Sequence, residues 1–103
     1  MIATLYIPHK LPQIVPTEGL WLPAPPKHYA QVSHEVATLL GCTQGLVDVL
    51  DCGPGYAAYC IFDFEGDNNQ LATDALTAVS THHYSTDDEE SMLQGPVLLI
   101  TAS

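Results

Sequence analysis

The residues of segment 2–7 mix β-branched, aromatic and leucine side chains and stop at Pro8, the pattern of a first strand ended by a residue that cannot extend it. Tyr29, Val32, Val36, Leu39 and Leu40 recur at spacings of three and four, with Pro25 and Pro26 ahead and Gly41 behind. That spacing predicts a helix with a proline start and a glycine stop. Segments 46–50 and 56–64 then read as two strands of a hairpin across Gly53-Pro54-Gly55. On the longer strand Tyr56, Ala58, Cys60, Phe62 and Phe64 form the predicted core face, and Ala57, Tyr59, Ile61, Asp63 and Glu65 the outward one. Asn68 or Asn69 can cap a second helix with an apolar stripe of Leu71, Ala72, Ala75, Leu76 and Val79, ending near His82 and His83. After a polar stretch at 85–94, segment 96–101 reads as a last, buried strand.

The predicted order is β-α-β-β-α-β. It matches the α+β, ferredoxin-like arrangement of a four-stranded antiparallel sheet with two helices on one face. At 103 residues the chain has room for one domain and one core, so we expect residues 1–103 to be a single domain. Six of its eight prolines fall between Pro8 and Pro26, which forbids a helix there and removes backbone donors from any ladder. Ile14, Val15, Leu20, Trp21 and Leu22 are nonetheless too apolar for a free tail. We read residues 8–26 as an ordered arm lying across the domain or across a partner subunit.

Charge narrows the function. Twelve acids against two lysines, Lys10 and Lys27, with no arginine, leave a formal net charge of -10. The acids are not enriched; the bases are missing. Nucleic acid or anionic lipid needs a patch of several Lys or Arg, so neither direct nucleic-acid binding nor membrane binding is expected, and anionic substrates such as nucleotides are disfavoured. Uncompensated carboxylates instead attract basic surfaces and cations. No apolar run approaches the roughly 20 residues of a membrane-spanning helix. Cys42, Cys52 and Cys60 are odd in number and lack paired spacing, and the N-terminal run has no charged region or long apolar stretch of a secretion signal. The expected setting is cytoplasmic and reducing, with thiols packed as small hydrophobes, although a Cys52–Cys60 bridge would form if the register aligned them.

Phe64-Glu65-Gly66-Asp67-Asn68-Asn69 with Leu71-Ala72-Thr73 after the hairpin, and the closing Gly95-Pro96-Val97-Leu98-Leu99-Ile100, resemble a group of small bacteriophage and bacterial proteins of unknown function. The resemblance covers the last two-thirds of the chain; the proline-rich arm departs from it. It implies a phage or mobile-element origin and an accessory role on a host factor, and it brings no catalytic residues with it.

Candidate chemistry is sparse. Asp63, Glu65, Asp67 and Asp74 place carboxylates at positions 1, 3, 5 and 12 of something like a calcium loop, but Asn68 stands where the loop glycine belongs and Asp74 where the bidentate Glu belongs. A turn whose acids lie near the positive end of the second helix explains the same residues. His82-His83 precede Asp87-Asp88-Glu89-Glu90, yet adjacent helical histidines point about 100° apart and rarely share one ion. No nucleophile elbow, phosphate loop or paired-cysteine zinc pattern occurs, and the balance leans against an enzyme. Asp48 and Asp63 could face each other across the hairpin.

These features point to a non-catalytic acidic interaction protein that binds a basic surface of a host protein through Asp87, Asp88, Glu89 and Glu90, with Trp21 as the apolar anchor. A buried core Trp21 is the plainer alternative for that residue. We expect a homodimer through the uncovered sheet face or the arm. The rival function is a small-ligand or cation-binding domain, calcium being the one cofactor with any support.

Overall fold

Antiparallel pairing joins every strand among the described residues and adds one that periodicity did not show. In the computed structural model residues 1–23, 30–62, 64, 66–79 and 93–102 are described. Five strands, β1 (Ile2–Tyr6), β2 (Gln13–Val15), β3 (Val47–Gly53), β4 (Tyr56–Ile61) and β5 (Val97–Thr101), lie in the order β2-β1-β5-β4-β3. Two helices, α1 (His34–Leu40) and α2 (Gln70–Val79), accompany them.

The class is α+β, but the layout differs from the expected four strands with both helices on one face. The extra strand, β2, lies inside the proline-rich arm, where Gln13, Ile14 and Val15 between Pro12 and Pro16 supply donors to a short edge strand. In a split βαβ unit another strand lies between the two that a helix connects. Here β4 and β5, connected through α2, are hydrogen-bonded neighbours.

The helices take opposite faces. Ala3, Leu5, Ala57, Tyr59, Leu98 and Ile100 form one buried layer with Val36 and Leu40 of α1. Tyr56, Ala58, Val97 and Leu99 form the other with Ala72 and Leu76 of α2. The predicted outward set on β4 is therefore wrong at Ala57 and Tyr59, which are completely buried beneath α1. Phe62 and Phe64, predicted core, are 61% and 40% exposed. The expectation of one uncovered sheet face therefore changes: each face carries a helix.

Local signals set the element ends. Helix α1 starts at Ser33, whose Oγ accepts from the Val36 amide, and stops at Gly41 in the left-handed region (φ 82). The expected stripe began earlier, but Val32 precedes the Ser33 cap and is not helical; Pro25, Pro26 and Tyr29 lie outside the described residues. Asn69 caps α2, its Oδ1 accepting from the Ala72 amide at 3.3 Å. Strand β3 carries a bulge between Val49 and Asp51, so Asp48 opposite Cys60 and Asp51 opposite Ala58 share the α2 face although they are three positions apart. Cys52 and Cys60 stand on opposite faces, and none of the three cysteines forms a disulfide.

Candidate functional site

Ser33 controls the arm as well as the helix. Its hydroxyl donates to the Gly19 carbonyl at 2.8 Å while accepting from α1. Gly19 has φ 75, and a Cβ there would come within 2.5 Å of the Glu35 side chain, so only glycine lets the arm approach α1 this closely. Pinned at that point, the chain buries Leu20 (4% exposed) and Pro23 and turns Trp21 outward at 58%. Trp21 is thus the solvent-facing member of an otherwise anchored segment, and the plainer core reading of it fails.

The arm and α1 border an open groove of about 460 Å³ lined by Pro16, Glu18, His34, Glu35 and Leu39. Glu18 and Glu35 are both exposed at its rim. Neither was singled out in the sequence, because they stand 17 positions apart and meet only where the Ser33–Gly19 bond and the packing of Leu20 against Val36 and Leu40 bring arm and helix together. The serine one residue ahead of His34 was the available signal, an N-cap type just before an apolar-periodic run.

Of the expected calcium residues, Asp67 and Asp74 are described. Asp67 Oδ2 meets His9 Nε2 at 3.1 Å, with both side chains about three-quarters exposed, and Asp74 is exposed on α2. Asp63 and Glu65 lie outside the described residues, as do Asp87, Asp88, Glu89, Glu90 and the His82-His83 pair. Among the described residues no group of three or more His, Cys, Asp or Glu side chains could hold a metal ion. Among the same residues no helix is long and apolar enough to cross a membrane.

The hairpin register gives Asp48 a different neighbour from the one expected. Cys60, not Asp63, stands opposite it. Burial, followed by the Asp48 carboxylate, pushes the Cys60 thiol up to about 11. Burial likewise pushes the Tyr59 hydroxyl up to about 12, while that group donates to the Gln31 carbonyl at 2.8 Å. Both groups stay neutral at physiological pH, and neither is poised as a nucleophile or a base.

No family model matches the chain, and neither a curated protein nor a solved structure does.

Proposed function

We propose that this chain is a non-catalytic acidic interaction protein that engages a basic surface of a protein partner, with Trp21 as its apolar anchor. The accessory role on a host factor implied by the phage-type resemblance belongs to the same proposal. The observation that carries it is Trp21, held 58% exposed between buried Leu20 and buried Pro23 in a chain of net charge -10. Leaving a tryptophan in water forgoes a large burial gain, and tryptophan is enriched among residues that dominate binding energy. Glu18 and Glu35 add local negative potential beside the same arm, which favours a basic partner and speeds its encounter. The run Asp87-Asp88-Glu89-Glu90 contributes to the same field.

The test uses the full chain as bait. Support is capture of a basic protein that salt releases, that Trp21→Ala abolishes, and that neutralising Asp87, Asp88, Glu89 and Glu90 to their amides weakens. Undiminished capture of that protein by both variants overturns the proposal.

The groove between arm and α1 favours a second reading, a small-ligand or cation-binding domain, because about 460 Å³ lies within the roughly 300–1,000 Å³ of ligand pockets. Native mass spectrometry of the purified chain with and without calcium separates the two. A stoichiometric adduct favours the ligand reading, and an unadducted spectrum favours the protein partner.

A further inference from the structure

On the α2 side of the sheet, away from Trp21, Asp48 stands at the rim of a pocket of about 260 Å³. Its walls are Leu50, Cys60, Phe64, Leu93 and Val97. Two of these, Leu93 and Val97, are buried, and Phe64 is 40% exposed. The ring of Phe64 lies against Gly66 and Gly95, where a Cβ on either glycine would collide with it. Two residues without side chains therefore leave room for the aromatic wall.

We propose that this pocket receives one long cationic side chain, lysine or arginine, of the basic partner. The inference rests on the proposed function and adds a second contact point to it. The volume falls below the roughly 300–1,000 Å³ of small-molecule pockets, so it suits a single side chain better than a free ligand. Lysine and arginine carry an apolar stem under a charged head, and the pocket repeats that division. The stem would lie along Leu50, Leu93 and Val97, with the head between the Asp48 carboxylate and the face of Phe64.

Among the described residues no cation meets this carboxylate. No described residue forms an ion pair with Asp48, and the whole sequence holds two lysines and no arginine. Burial raises the Cys60 thiol and the Asp48 carboxylate adds to that rise, so the negative field of Asp48 reaches the pocket floor.

The test is a titration of the full, isotope-labelled chain followed by amide chemical shifts. The probes are three blocked tripeptides, glycine-X-glycine, with X lysine, arginine or norleucine. Saturable shifts at Asp48, Cys60, Phe64, Leu93 and Gln94 are expected with the two cationic peptides and not with norleucine. Asp48→Asn should weaken the cationic peptides about tenfold, the order of a charge-assisted hydrogen bond. Sodium chloride at about 0.5 M should weaken them in the unaltered chain, a readout that needs no variant. Equal response to norleucine, unchanged binding by Asp48→Asn in a folded variant, or insensitivity to salt overturns the proposal. No partner protein enters this experiment, so its failure removes the pocket while the bait experiment on Trp21 stands or falls separately.

Discussion

The Asn69 side-chain amide donates to the carbonyl of Tyr6, 63 positions earlier in the chain, at 3.0 Å. The same nitrogen donates to Gly95 at 2.8 Å, and the amide oxygen caps α2. One residue, 2% exposed, thereby ties the end of β1, the entry of β5 and the start of α2 together. Thr73 extends the knot, donating to the Asn69 carbonyl and accepting from the Leu93 amide.

Asn69→Ala is expected to cost about 3 kcal/mol, since it removes a cap and strands two buried carbonyls. Asn69→Asp keeps the cap acceptor but sets an anion against the Tyr6 and Gly95 carbonyls, so it should destabilise at least as much. Urea denaturation of both variants at pH 7 is the measurement; wild-type stability in either would show that the network is dispensable.

Neighbouring residues of the arm should behave in opposite ways. Leu20→Ala empties a buried site and should cost about 2–5 kcal/mol. Trp21→Ala, at an exposed position, should change stability by about 0.5 kcal/mol or less. A large loss from Trp21→Ala in thermal melts would return that residue to the core and remove the interaction role assigned to it.

Stability should fall with rising pH above 9. Burial and then Asp48 raise the Cys60 thiol from its ordinary 9.0 to about 11, so between these values the unfolded chain releases its proton while the folded one keeps it. The contribution is fully present below pH 9 and is lost as pH rises through the folded value. Tyr59 acts in the same sense between 10.0 and about 12. Denaturation midpoints at pH 8, 10 and 11 should therefore decline in order, and Cys60→Ala should flatten the first part of the decline. Superimposable profiles for wild type and Cys60→Ala would contradict this account.

His9 sits at φ 64, a backbone region in which glycine is at ease, and its ring pairs with Asp67 on the surface. Glycine would relieve about 1 kcal/mol of steric cost but would lose both the exposed pair, worth about 0–1 kcal/mol, and some chain stiffness. His9→Gly should consequently lie within about 0.5 kcal/mol of wild type. His9→Val, β-branched in the same conformation, should cost about 1–2 kcal/mol. Thermal melts of the two variants test the ordering.

The inner parts of the helix stripes (Val36 and Leu40, Ala72 and Leu76), the Gly41 stop, the Asn69 cap and the hairpin were legible because each rests on neighbours within about one turn or one strand, whereas Val32 precedes α1 and Leu71 and Val79 are exposed. Segment 97–100 held more than was read from it. Val97-Leu98-Leu99-Ile100 is an unbroken apolar run, and all four side chains are buried, two on each face of the central strand. A run without alternation is the mark of a strand covered on both sides, and it was the available sign that the helices divide between the faces.

The candidate site was less legible than the fold. Trp21 could be named from its type, but whether it entered the core depended on the Ser33–Gly19 contact, which sets the angle at which the arm meets α1. Asp48 drew notice only as a possible partner of Asp63. Its pocket exists because the β3–β4 register puts Cys60 opposite it and because Phe64 folds back over Gly66 and Gly95.

By itself the sequence determined the α+β class, most element positions and the sign of the electrostatic field, since these follow from local periodicity, from turn and cap residues, and from a count of charges. Strand order, the β2 edge strand, the division of the helices between two faces and the neighbours of Trp21 and Asp48 were decided only in the tertiary structure. They depend on contacts such as Asn69 with Tyr6, made between residues far apart in the chain, and a pattern read along the chain carries no record of which distant segments meet.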